Sequence, residues 1–275
     1  MWIGRYIAGN NIHQAINISK QHLNRNKLPI INYAVENTSN AQDVFMEHIN
    51  LIDQIDYKYK IAIKFSSFNF DDTLIDHIIR KSIKKNIRVI IDAEDGKLNE
   101  PYQEMCKYLI QRHNRYSPIL VKTYQMYRKD ALNTLEKDLI ETKQANVFLG
   151  IKLVRRAYHQ NEKKDGYLFT DKKDTDYSYN NALLSISKNY NNNYIMLATH
   201  NNESMRLGYL INQHFQKNIF EFGHLMGMNE IEYQRLADSG SLVNTYIPYG
   251  PYTQMIPYLS RRMYENMHMI KYMVK

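Results

Sequence analysis

Eight short runs of β-branched and apolar residues recur along this chain, each separated from the next by a longer stretch of mixed character. They are Ile30–Val35, Lys60–Phe65, Arg88–Asp92, Ile119–Tyr124, Phe148–Val154, Tyr194–Thr199, Ile219–Phe222 and Leu242–Tyr246. Most begin roughly 25–30 residues after the one before, the length of one strand–helix unit. The stretches between them carry helical spacing. Asp71 and Asp72 can cap a segment with Leu74, Ile75, Ile78, Ile79 and Ile83 on one face. Asp43–Ile55 does the same with Val44, Phe45, Ile49, Ile52 and Ile55, and Pro101 sits at a first turn before Met105, Leu109 and Ile110. Asp130–Ile140, Tyr177–Ser187, Glu203–His214 and Asn229–Ala237 continue the alternation. Strands alternating with helices imply a parallel sheet. Eight such units predict an α/β fold, a (β/α)8 TIM-type barrel in a single domain over residues 1–275. A doubly wound open sheet is the competing arrangement, but no Gly-x-Gly-x-x-Gly follows a strand.

Charge and cysteine content narrow the function. The net charge of +8 allows nucleic acid, an anionic surface or an acidic ligand as partner. The basic residues are scattered, and no aromatic–basic module, zinc knuckle or helix-turn-helix is visible, so nucleic-acid binding is not expected. Cys106 is the single cysteine, which rules out an internal disulfide and favours a reducing compartment. No apolar run reaches the length of a membrane span, and the opening Met1-Trp2-Ile3-Gly4-Arg5 lacks a secretory signal. The expected location is intracellular, cytoplasmic or a mitochondrial-type compartment. The oligomeric state is open, as is a peripheral membrane contact through the Met- and Tyr-rich C-terminal stretch Met255–Val274.

A barrel keeps its chemistry at the C-terminal ends of its strands. Here those ends carry Lys64, Asp92, Gln125, Lys152, Arg155, Thr199, His200 and Tyr246. One charge ending one strand is ordinary, but polar groups ending most of the strands form a convergent set. Lys64 and Asp92, from neighbouring strands, can pair there, and pairing makes charges in a pocket tolerable. The set is cationic, so it wants an anionic ligand. The interval from Tyr158 to Thr175 reads as a polar loop after the fifth strand. Near the C-terminus, Arg261 and Arg262 stand side by side in a helical segment at about 255–274. Two guanidinium forks can grip a small acid by its carboxylate. No His-x-His or His-x-x-x-His pair supports a metal site, none is expected, and neither Ser260 nor Cys106 has a visible base partner. His224 reads as a loop or structural histidine.

With those motifs in view, the chain resembles proline dehydrogenases, flavoenzymes built on a distorted (β/α)8 barrel. The resemblance rests on Arg5-Tyr6-Ile7-Ala8-Gly9, Lys64, Asp92-Ala93-Glu94, Thr123-Tyr124-Gln125, Lys152-Leu153-Val154-Arg155 with Ala157-Tyr158, Ala198-Thr199-His200-Asn201, and Tyr258-Leu259-Ser260-Arg261-Arg262 with Glu265-Asn266. These occur in the family's order over nearly the whole chain, with the fifth-strand motif in its eukaryotic-type form. The resemblance implies FAD-dependent oxidation of L-proline to 1-pyrroline-5-carboxylate, with electrons passed to a quinone-type acceptor. It also implies roles by position. Lys64, Arg261 and Arg262 would bind the proline carboxylate, and Leu225, Tyr246 and Tyr258 would enclose the ring. Asp92 and Lys152 would act in catalysis, Asp92 by holding the cationic cluster. Ala93, Gln125, Lys152, Arg155, Arg156, Ala157, Thr199, His200 and Glu265 would contact FAD. The chain departs from the family pattern at Arg156, where Gly is usual, and at Lys152, where many members have Arg. It also lacks the helical arm that often precedes the barrel. Three other readings stand beside this one: a hydroxyproline dehydrogenase, a non-catalytic flavin-binding barrel, and a lyase or aldolase using Lys64 as a Schiff base.

Overall fold

The computed structural model describes residues 3–35, 40–155, 166–190 and 193–255. Its eight strands are β1 (Lys27–Tyr33), β2 (Lys60–Ile63), β3 (Arg88–Ile91), β4 (Leu120–Gln125), β5 (Gly150–Val154), β6 (Tyr194–Ala198), β7 (Phe220–Leu225) and β8 (Val243–Tyr249). They pair in chain order into a closed barrel, as the (β/α)8 pattern predicts. The pairing is parallel where the register is defined, with Ile30 opposite Lys60 and Tyr246, and Lys152 opposite Thr123 and Met196. A covered parallel sheet buries both faces of its strands. Accordingly every residue of β4 and β8 is buried. Gly150 lets β4 and β5 approach, because a Cβ there would stand 2.2 Å from the Leu120 carbonyl oxygen.

The helices described are α1 (Ile12–Leu23), α2 (Ala41–Gln54), α3 (Asp72–Lys84), α4 (Asn99–His113), α5 (Ala131–Gln144), α6 (Lys172–Lys188), α7 (Asn202–Phe215) and α8 (Glu230–Asp238). Several starts follow directly from capping. The Asp71 carboxylate accepts from the amides of Thr73 at 2.9 Å and Leu74 at 3.1 Å, and Ile75, Ile78 and Ile79 face inward below it. Asn201 caps α7 through Ser204 N–H at 3.0 Å. Asp171 caps α6 through Lys173 N–H at 2.9 Å. That cap corrects the extent of the polar loop after β5. The helix takes over at Lys172, and Leu168 has already bridged to Arg128 in antiparallel fashion. The helix α1 was not foreseen. It begins where Asn11 accepts from the Gln14 amide at 3.0 Å, and it buries Ile12, Ala15, Ser19 and His22.

The chain forms two compact units, one made of Met1–Val89 with Gly223–Lys275 and the other of Ile90–Phe222. Each is described separately below. Among the described residues no helix is long and apolar enough to cross a membrane.

Candidate active site

In the Ile90–Phe222 unit, a lysine inside a strand meets an aspartate just past another. Lys152 of β5 donates from Nζ to Asp92 Oδ1 at 2.6 Å, with the two side chains only 9% and 20% exposed. Each charge is largely stripped of water, so each depends on the other. One strand over, period-two alternation sorts the side chains of β4. Lys122 and Tyr124 both reach Asp138 on α5, at 2.5 and 2.6 Å. Gln125 instead donates from Nε2 to the Glu94 carbonyl at 3.1 Å and to Tyr127 Oη at 2.7 Å. Its Oε1 accepts no hydrogen bond from the described residues. Behind these, Tyr102 pins the strand ends. Its hydroxyl accepts from Thr123 N–H at 3.0 Å, and Thr123 Oγ1 donates to the Ile91 carbonyl at 2.7 Å. Burial pushes the Tyr102 hydroxyl far above its ordinary range, so it serves as a neutral clamp.

Arg155 follows β5 directly and is held on several sides. Nε donates to Thr199 Oγ1 at 2.8 Å, Nη1 to Asp176 on α6, and Nη2 to Ser204 Oγ on α7. Its guanidinium carbon lies 4.4 Å from the Tyr179 ring centroid. Burial lowers the guanidinium pKa, while Tyr179 and Asp176 oppose that shift; arginine stays charged throughout. A guanidinium has five N–H bonds, and these contacts account for three. The other two donate to no acceptor among the described residues. His200, beside Thr199, is half-buried.

In the other unit, Lys64 follows β2 and is half-buried at the start of a short 3-10 turn, Phe65–Phe68, whose Phe65 and Phe68 are buried. Leu225 ends β7 and packs against Tyr6 and Met228. Tyr246 is buried in β8, and its carbonyl accepts from Met226 N–H at 2.9 Å. The turn after Leu225 is fixed by Glu230, which accepts from Gly227 N–H at 2.9 Å and from the buried Lys27 at 2.6 Å. His224 lies within β7 rather than a loop. Its two nitrogens meet the Met228 carbonyl at 3.0 Å and Thr245 Oγ1 at 2.9 Å, and its ring stacks on Tyr233 at 4.3 Å. It is a structural histidine.

The proline dehydrogenase family model matches residues 12–274. The chain belongs to the proline dehydrogenase family. Among its relatives, the Dictyostelium discoideum mitochondrial proline dehydrogenase 1 is 30% identical over 210 residues, covering 70% of this chain and 36% of that protein. The Arabidopsis thaliana mitochondrial proline dehydrogenase 2 is 34% identical over 205 residues, covering 68% of this chain and 43% of that protein. The chain thus spans less than half the length of these relatives. The fold also matches proline utilization A (PutA) from Bdellovibrio bacteriovorus inactivated by N-propargylglycine. The TM-score is 0.88 at 18% identity, over 96% of this chain and 32% of that one.

Within this proline dehydrogenase barrel, Asp92 and Lys152 are directly joined, and Arg155 and Thr199 form a second joined pair. The ion pair between Lys152 and Asp92 was not foreseen from the sequence, which pointed to Lys64 as a partner for Asp92. Ala93 is buried immediately after Asp92. Arg156, Ala157, Tyr158, Tyr258, Arg261, Arg262, Glu265 and the C-terminal helix expected at about 255–274 fall outside the described residues. Asp176, Tyr179 and Ser204, which hold Arg155, were not singled out from sequence. Their signal was available in α6, where Asp176, Tyr179 and Asn180 share one helix face at i, i+3, i+4 spacing.

Proposed function

We propose that this chain is an FAD-dependent dehydrogenase of L-proline. The observation that carries the reading is the family match across residues 12–274, with the family's motif residues at the strand ends. The donor set suits a flavin nucleotide. Among the described residues, Arg155 keeps two N–H bonds and a positive charge available for a phosphate-bearing ligand, and Gln125 keeps its amide oxygen available for an imide N–H. When bound, FAD supplies the acceptor for the hydride leaving the ring carbon of proline, giving 1-pyrroline-5-carboxylate, and passes the electrons to a quinone-type acceptor.

The chain's own residues supply orientation and charge. Gln125, Lys152, Arg155, Arg156, Ala157, Thr199, His200, Ala93 and Glu265 form the cofactor-binding set. Asp92 holds the Lys152 ammonium in place, where it would offer a positive charge to the reduced flavin. Lys64, Arg261 and Arg262 grip the carboxylate, leaving Leu225, Tyr246 and Tyr258 to set the ring's placement by shape.

The test begins with the purified protein. It is expected to bind FAD, and L-proline added without oxygen should bleach the visible absorbance of the bound flavin. A folded protein that takes up no flavin would falsify the reading. Arg261→Ala and Arg262→Ala should each weaken proline binding severely and leave flavin bound; unchanged proline turnover in both would remove the carboxylate clamp. Tyr246 favours proline over 4-hydroxyproline, since its hydroxyl takes the space a ring hydroxyl needs. Faster turnover of hydroxyproline would reverse that assignment.

A further inference from the structure

We infer that Asp176 is a positioning residue for the flavin cofactor, acting through Arg155. The inference rests on the reading of Arg155 as a cofactor contact, and it assigns work to a residue outside the family motifs described above. The geometry is a cradle. Three different elements converge on one guanidinium: Thr199 after β6 on Nε, Asp176 of α6 on Nη1, and Ser204 of α7 on Nη2. Tyr179, three residues after Asp176, lies against the guanidinium face at 4.4 Å. Ser204 is itself oriented, because its hydroxyl donates to Asn180 Oδ1, one residue beyond Tyr179. A long side chain that would otherwise sample many rotamers is thereby held in one. Its two remaining N–H bonds then point in a fixed direction before any ligand arrives, which reduces the ordering a ligand must impose.

Charge alone would predict the opposite of orientation. Asp176 also pairs with Lys172 at 2.5 Å, so one carboxylate faces two cations. Removing it raises the local positive charge by one. If Asp176 mattered only through charge, its loss would strengthen attraction for an anionic cofactor, and more so at low salt. If it matters by holding Arg155, its loss weakens binding despite the added positive charge. The two roles therefore differ in sign.

The experiment measures FAD binding to apoprotein by fluorescence quenching, at low and high salt, alongside thermal melting of each apoprotein. Wild type, Asp176→Asn, Asp176→Glu, Arg155→Lys and the Asp176→Asn/Arg155→Lys double variant are compared. Asp176→Asn is expected to weaken FAD binding roughly ten- to a hundred-fold, the worth of a hydrogen bond to a charged group. Asp176→Glu should recover part of that loss. Arg155→Lys should lose a similar factor, because a lysine cannot make the fork. The double variant should be no worse than Arg155→Lys, since both changes act through one guanidinium. If Asp176→Asn binds FAD as tightly as wild type, or more tightly, the inference is overturned while the cofactor reading stands. Independent, additive losses in the double variant overturn it equally. If wild type binds no FAD, the cofactor reading fails first. Should Asp176→Asn not fold, Ser204→Ala tests the same cradle, with a smaller expected loss of about two- to ten-fold because the hydroxyl is an uncharged acceptor for the guanidinium; unchanged affinity there overturns the inference.

Discussion

Lys152 is a charge set inside a strand whose other residues are Gly150, Ile151, Leu153 and Val154. Such a charge survives burial only when it is paired, and Asp92 is one partner. Two consequences separate its structural from its chemical role. Asp92→Ala leaves the Lys152 charge without this partner, and urea unfolding should show a loss of about 3–5 kcal/mol. Replacing both groups by apolar ones, Asp92→Leu with Lys152→Met, should recover most of that stability, because the half of the pair left behind by the single change is then also removed. Proline turnover should not return with it. A double variant that regains both would show that the pair is structural only. At this scale the sequence was partly legible. The residue types at the strand ends identified Asp92 and Lys152 as important, because a charge at the end of an apolar run is conspicuous. The reach of Lys152 to Asp92 was not legible, because it joins strands two places apart. The Arg155 cradle was missed for the same reason, since Asp176 and Ser204 come from helices and their sequence positions say nothing of where their side chains meet.

Strands and helices differ in how openly the sequence declares them. Parallel strands buried on both faces read as continuous apolar runs, so all eight were visible, with ends displaced by a few residues. β8 continues past its predicted end through Pro248 to Tyr249 although proline lacks an amide for the ladder. β7 likewise continues through Gly223 and His224 to Leu225, with His224 satisfied by Met228 and Thr245. Helix α1 escaped notice because its inward face includes Ser19 and His22 alongside Ile12 and Ala15, which blurs the apolar period. That composition has a measurable price in acid. His22 is buried, its Nδ1 has no hydrogen-bond partner among the described residues, and burial depresses its pKa from 6.5 to about 4, with Lys27 and Arg25 adding to the effect and Glu230 opposing it. Between those values the unfolded chain takes up a proton that the folded chain refuses. Stability should therefore be full above about pH 6.5 and fall as the pH drops towards 4, by about 3 kcal/mol from this residue. His22→Leu should flatten that part of the stability–pH curve without loss at neutral pH. Parallel curves for the two proteins would exclude His22 as the source.

For the molecule as a whole, the eightfold alternation was the most legible feature of all, because period and length together leave few folds that accommodate it. The carboxylate clamp expected from Arg261 and Arg262 was equally conspicuous in sequence, but those residues lie outside the described structure, so its test belongs to binding experiments. The proposed cofactor offers a test that involves the entire chain. A ligand that binds only the folded state adds stability as RT ln(1 + [L]/Kd), about 2.7 kcal/mol at a hundredfold excess over Kd. For a chain of this size each kcal/mol moves Tm by roughly 2–4 °C. FAD at a hundred times its Kd should therefore raise the Tm of the apoprotein by about 5–10 °C. The shift should grow with the logarithm of FAD concentration, which distinguishes specific binding from a nonspecific additive effect. Asp176→Asn should give the same logarithmic slope displaced to higher FAD concentration by its loss of affinity. A cooperative melt unmoved by FAD across that range would show that this barrel does not hold the cofactor, whatever its relatives hold.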